Sequence, residues 1–323
     1  MYIGISRFFS TTTKNIIGYG AGKVDIKFIG GAAKLIFSNP YKKNTLTLKI
    51  VKEATKFLED FKKGVYNSSN IKELIIEFDI ASKDIACAGS YLPELMLPDD
   101  LDPLHDNSPF VLLSQTLGNL DLVPTKAIID RSLIGAGVEL ALKCKQVVWQ
   151  YPDTTTIFLP HLRIGVPYHT SGLFTLLDFL GPCMLTRLMI VNRAVSVKRI
   201  LEERKSAESL TEGDEMALEV EKSIHQLEMI SQGIAVEYDT EYHIVNNRTG
   251  NLQELCKALQ RQISLYHKFP LLKEAPKEEL EIINNLRKLA CTERLKESVK
   301  RHGDLPKDLN NSALSSFSLC NRK

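Results

Sequence analysis

The chain has 323 residues, 44% of them apolar and 25% charged, with a formal net charge of +2. That length admits one large domain or two small ones and a sizeable core. Near-neutrality leaves no global field to recruit nucleic acid or an acidic partner, and no apolar run reaches the roughly 20 residues of a membrane span, so none is expected.

The first stretch, MYIGISRFFSTTTKNIIGYGAGK, carries Arg7, Lys14 and Lys23, several hydroxyl residues, and no acid before Asp25. That composition suits a mitochondrial presequence over residues 1–22, which places the mature protein in the matrix. Arg7-Phe8-Phe9-Ser10 resembles a matrix-protease cleavage context. Segments 23–29 and 33–38 have strand character, and Gly30-Gly31 between them predicts a hairpin. Asn39-Pro40 ends the second strand. Ile50, Val51, Ala54, Phe57, Leu58 and Phe61 then fall at helical spacing within 46–63, with Gly64 placed to cap the helix.

Short apolar runs predict strands at 73–80, 127–132, 146–149 and 155–159, and helices at 110–119 and 137–144. The order implies an α/β layered fold. Segment 201–231 is highly charged and reads as an exposed helical insertion. Helical patterns resume over 252–268 and 276–300, and the polar end, 304–323, is expected to be poorly ordered. Six cysteines form no CxxC pair, and no His lies at ligand spacing. This pattern predicts free thiols in a reducing compartment and no metal site.

Four short segments could carry chemistry. Ala86-Cys87-Ala88-Gly89-Ser90 has small residues that let backbone approach a ligand. Ile134-Gly135-Ala136-Gly137 opens a helix, so its amides suit an anion or oxyanion. Glu139 follows in the first turn, either as a partner of the helix dipole or as a general base. Phe158-Leu159-Pro160-His161 puts a titratable ring where a strand empties into a turn, the alternative being a core-edge histidine bonded to a carbonyl. Lys42 and Lys43 lie in a loop before a helix, suited either to phosphate or to solvent.

Taken together, KLIFSNPYKKNTLT, CAGSYLPEL, IIDRSLIGAGVELALKC and IFLPHLRIGVP resemble the crotonase (enoyl-CoA hydratase/isomerase) superfamily. The resemblance spans about 24–200, with a looser match over 232–270. It implies a spiral of ββα units at 23–200, then the insertion at 201–231 and a helical region at 232–303. It also implies an acyl-CoA substrate, no cofactor beyond that coenzyme A, and a homotrimer or hexamer. By position, the amides of Ser90 and Ala136 would form the oxyanion hole, with Ala136 where the family usually has glycine. Lys42, Lys43 and Ala88 would contact coenzyme A. Glu139 falls on the first catalytic glutamate of hydratases, and His161 replaces the second. Tyr91 replaces an acid that the family often carries.

A histidine at this place resembles the methylmalonyl-CoA/ethylmalonyl-CoA decarboxylase-like branch. There, loss of CO₂ generates the enolate, and a histidine titrating near neutrality would supply the proton. The leading expectation is decarboxylation of a short branched malonyl-CoA. Enoyl-CoA hydration or isomerisation in β-oxidation is the alternative, and a non-catalytic structural or RNA-associated protein is the second. Tyr168 and His169 either line the acyl pocket or cap a turn. Lys49, Lys52, Lys56, Lys62 and Lys63 on the 46–63 helix resemble an RNA-binding face in some relatives. Interleaved Glu53, Glu59 and Asp60 favour an ordinary solvated face, so RNA is not an expected partner.

Overall fold

The structure, a computed structural model, describes residues 22–66, 70–80, 84–91, 94, 108–208, 213–245 and 252–290. The segment 1–22 expected to target the chain, except Gly22, and the tail 304–323 lie outside them. The chain forms two compact units that divide between Tyr151 and Pro152, inside the span expected to be one core.

In the first unit, β1 (Lys23–Ile29) and β2 (Ala32–Ser38) form the predicted hairpin. Gly30 and Gly31 both have positive φ, +59° and +84°, as a two-residue turn requires. α1 (Leu48–Lys62) follows, with Thr47 Oγ1 accepting from the Ile50 amide at its start. Beyond its end, the Val65 amide donates to the Asp60 carbonyl, and the Gly64 amide to that of Phe61. These two bonds, with φ +72° at Gly64, make a Schellman stop.

β3 (Glu73–Phe78), β4 (Ile85–Cys87) and α2 (Pro109–Gly118) form a second strand-strand-helix unit. β5 (Thr125–Ile129), β6 (Ser132–Ile134) and α3 (Ala136–Leu142) form a third, and β7 (Gln146–Trp149) follows. The main sheet runs β1-β2-β3-β5-β7, parallel from β2 onward. The second strands of two units, β4 and β6, pair with each other in parallel. This is the expected spiral of ββα units.

The single strand expected at 127–132 is instead two. Arg131 breaks it by donating to the carbonyls of Phe78 (3.0 Å) and Asp79 (3.1 Å) at the end of β3. The hydrogen-bonding demand of another strand's end decides the bend.

In the second unit, β8 (Thr156–Phe158) pairs antiparallel with β9 (Val195–Ser196). Between them lie α4 (His161–Ile164) and α5 (Thr170–Val191). By length and composition α5 could cross a membrane, contrary to the reading that no run was long enough, and 61% of its apolar window is buried within the fold. Gly181, with φ +73°, breaks it, and Pro182 begins the second segment, where its missing N–H costs nothing.

α6 (Val197–Glu208), α7 (Gly213–Ser231), the hairpin β10 (Val236–Tyr238) and β11 (Glu241–His243), α8 (Leu252–Lys268) and α9 (Lys277–Ala290) complete the unit. Segment 201–231 is not an exposed insertion. α7 packs on α5 and α8, and Val220, Ser223, Leu227 and Ile230 are buried along one stripe of it. Arg187 of α5 and Arg199 of α6 both bind Glu203 and Asp239, which ties the hairpin turn to these helices.

Candidate functional site

The first unit gathers six of the predicted residues at the ends of β4 and β6. Segment 43–46 runs beside segment 88–91. The Ala88 amide donates to the Lys43 carbonyl at 3.0 Å, that of Leu46 to Gly89 at 2.8 Å, and that of Tyr91 to Leu46 at 2.9 Å. Leu46 and Ser90 are bridge partners in parallel sense. In that pattern the residue between the two bonds, Ser90, turns its own N–H to the opposite side. The geometry therefore releases the Ser90 amide from the pairing that fixes its neighbours.

Gly89 is where the two predicted oxyanion segments meet. Its φ is +81°, and a Cβ there would lie 2.8 Å from the Ile134 carbonyl oxygen and 3.4 Å from the Ala136 nitrogen. Only glycine allows both the conformation and the approach. Ala136 is the first residue of α3, and its amide is one of the helix's initial donors, which have no partner within a helix. Ala136 is not among the positive-φ residues; the positive φ here, +51°, falls on Gly135, so the alanine meets no backbone strain. Gly137 fixes the approach of α3 to β4. A Cβ on it would fall 2.8 Å from Cβ and 2.9 Å from Sγ of Cys87.

Glu139 stands one turn into α3 and is buried. Its amide donates to the Gly135 carbonyl at 3.4 Å, and its carbonyl accepts from Lys143 at 3.1 Å. Lys42 is half-buried at the end of the turn Pro40–Lys42, and Lys43 is exposed, with φ +52°. Cys87 is no nucleophile. Burial pushes its thiol up to about 12, and its Sγ–H donates to the Asn44 carbonyl.

Two supporting residues were not singled out from the sequence. Asn44, also at positive φ, is buried; its Nδ2 donates to the carbonyls of Asp79 (2.7 Å) and Ala86 (3.0 Å), and its Oδ1 accepts from the Asn39 amide. It ties loop 39–45 to β3 and β4. An asparagine just past the Asn39-Pro40 stop was the available signal, since Asn tolerates this conformation. Glu94 is 1% exposed, and its carboxylate accepts from the Leu48 amide at the start of α1. A carboxylate is favourable at that end of a helix.

His161 belongs to the second unit, at the start of α4. Its ring stacks on Tyr168, with centroids 3.4 Å apart and planes 24° apart. The side chain is 8% exposed, and among the described residues Nδ1 meets no hydrogen-bond partner. The reading of a ring titrating near neutrality does not hold. Burial pulls the imidazole down to about 3, so it is neutral at physiological pH. Tyr168 is buried beneath it, and His169 is the N-cap residue of α5.

On the α1 face, Lys49, Lys52, Lys56, Lys62 and Lys63 are exposed and interleaved with Glu53, Glu59 and Asp60, as a solvated surface would be.

No family model matches the sequence, and no curated protein matches it. Solved structures do resemble it in fold. Methylmalonyl-CoA decarboxylase complexed with 2S-carboxypropyl-CoA superposes with a TM-score of 0.56 at 16% identity, over 88% of this chain and 98% of its own. Methylmalonyl-CoA decarboxylase in complex with 2-nitronate-propionyl-CoA gives the same score and identity, over 88% and 97%. The strand-strand-helix spiral and these superpositions agree: the chain has the crotonase fold, as methylmalonyl-CoA decarboxylase does.

Proposed function

We propose that the chain is an acyl-CoA enzyme that stabilises a thioester enolate with the amides of Ser90 and Ala136. The carrying observation is the contact at Gly89, which sets the two segments bearing those amides against each other at the ends of paired strands. Two fixed N–H donors suit the oxygen of a polarised thioester, and removing one such donor typically costs about 3–4 kcal/mol of transition-state stabilisation.

The specific reaction we propose is decarboxylation of a short branched malonyl-CoA. The bond between the α-carbon and the carboxylate breaks, CO₂ leaves, and the electron pair passes to the thioester as an enolate. The α-carbon then takes a proton from a water, which is left as hydroxide. No base has to remove a proton from carbon, which suits a chain with one glutamate, Glu139, where hydratases use two. Glu139 orients the substrate or a water. His161 enters on the sequence resemblance, now as a neutral hydrogen-bonding group in place of an imidazolium donor. Lys42 and Lys43 contact coenzyme A phosphate, and Ala88 borders the thioester arm. Both solved neighbours above carry CoA-type ligands, which supports this substrate class.

The test is turnover by the chain lacking residues 1–22, offered methylmalonyl-, ethylmalonyl- and crotonyl-CoA. CO₂ release from a malonyl-type substrate is the expected result. Turnover of crotonyl-CoA alone points to a hydratase, and no turnover with no thermal shift by coenzyme A overturns the enzyme reading. We also place the protein in the mitochondrial matrix as a homotrimer or hexamer. A reporter fused to residues 1–22 and light scattering of the purified chain check these two points.

A further inference from the structure

Three successive residues beside the His161 ring are each held by a buried polar side chain from the C-terminal helices. Gln262 of α8, fully buried, donates through Nε2 to the Tyr168 carbonyl (3.2 Å) and to Thr170 Oγ1 (3.2 Å). Arg287 of α9, 1% exposed, sets Nη2 2.8 Å from His169 Nδ1, and its Nη1 donates to Asn284 Oδ1 at 2.7 Å. Around them, Phe174, Leu265, Ala275 and Ile283 pack α5, α8 and α9 into one apolar cluster.

These contacts go further than packing requires. A guanidinium only donates, so His169 Nδ1 must accept, and the ring's proton must sit on Nε2. His169 holds the N-cap position of α5 without a side-chain capping bond. Its ring is instead committed to Arg287. Tyr168, gripped through its carbonyl by Gln262, is the platform on which His161 stacks. An off-rotamer shift in Tyr168 would carry the imidazole with it.

We propose that Gln262 and Arg287 are positioning residues that clamp the turn 168–170 and so hold the Tyr168–His161 stack in place. Neither touches a reacting atom in this scheme. The effect on catalysis rests on the role given to His161 above, whereas the clamp itself does not.

The experiment uses the full chain with ring-¹⁵N histidine, each signal assigned by substitution. At pH 7.5 the wild-type His169 ring should be the Nε2–H tautomer. The Nδ1–H tautomer or an imidazolium would overturn the proposal without any variant. Wild-type His161 ring protons should be shifted upfield by Tyr168, and Gln262→Met, chosen for its similar volume, and Arg287→Gln should move them toward free-histidine positions. Unchanged His161 signals in folded variants overturn the clamp. If Arg287→Gln does not fold, the wild-type tautomer and Gln262→Met still decide.

On the substrate identified above, both variants should lose about tenfold in kcat with KM within about twofold, as misplacement of a reacting group produces. Should wild type turn over no acyl-CoA, the proposed function fails, and the ring signals still test the clamp.

Discussion

The ends of β4 and β6 and the surroundings of His161 are built from different materials. The first region is made of main chain. Its donors are amides, and its geometry comes from strand pairing and from glycines that permit close approach. The second is made of side chains: a stacked imidazole and phenol, a buried glutamine and a buried arginine. Main-chain chemistry survives the exchange of one small residue for another. Ala136 keeps the N–H that a glycine would supply, and the positive φ lies one residue earlier, at Gly135. Side-chain chemistry changes with a single substitution, and under the proposed function His161 in place of a carboxylate would alter which reactions are open.

The most damaging single change should fall on the main-chain region. In Gly89→Ala the new Cβ meets the Ile134 carbonyl at 2.8 Å, and the residue must hold φ +81°. The strand ends have to separate, which displaces both amides. We expect kcat to drop at least about 100-fold, the loss associated with an absent oxyanion donor. A steady-state assay with circular dichroism to confirm the fold checks this. Full activity in a folded variant would mean that the contact does not set the oxyanion geometry.

The side-chain region should show itself in stability against pH. His161 is held down at about 3 in the folded chain, against an ordinary 6.5, by burial. The unfolded chain therefore binds the proton first, and stability rises with pH between these values. The contribution is complete above about pH 6.5 and is lost as the pH falls toward 3, by about 1.4 kcal/mol per pH unit. Urea unfolding at pH 7.5, 6 and 5 should show a slope that is shallower in His161→Phe. Equal slopes would place the ring in water.

The same division explains what was legible beforehand. Gly30-Gly31 between two strand-like runs announced its hairpin, and QVVW its strand, because turn chemistry and apolar runs are local signals. The two small-residue segments proposed to hold the oxyanion stood out for the same reason, as small residues in order. Burial of α7 was not, because Val220, Ser223, Leu227 and Ile230 are diluted by acids and lysines on its other faces. The break at Arg131 depends on carbonyls more than fifty residues earlier in the chain. Neutral His161 depends on Tyr168 and on surrounding burial, which no spacing announces. Asn44 and Glu94 act through hydrogen bonds to residues more than thirty positions away, which the sequence around them does not specify.

Glu94 tests how far the main-chain region relies on a side chain. Glu94→Ala strands the buried Leu48 amide, and the expected cost is about 2 kcal/mol. Glu94→Gln retains an acceptor and should recover about half of that. Denaturant midpoints at constant m-value distinguish the two. Identical losses would show that packing at residue 94, and not the bond to α1, carries its contribution to stability.

The smallest effect should come from Lys43, where main chain and side chain divide within one residue. Its carbonyl holds the Ala88 amide, while its side chain is exposed. Lys43→Ala keeps the carbonyl, and both residues meet the same constraint at φ +52°. The unfolding midpoint should therefore stay within about 0.5 kcal/mol, the usual range for a surface change. If the ammonium contacts a coenzyme A phosphate, the dissociation constant for coenzyme A should rise about threefold at low salt, and the difference should shrink as added salt screens the pair. Calorimetric titration in low and high salt reads both. No change in affinity at low salt would return Lys43 to the solvated loop and leave its carbonyl as its one contribution to the site.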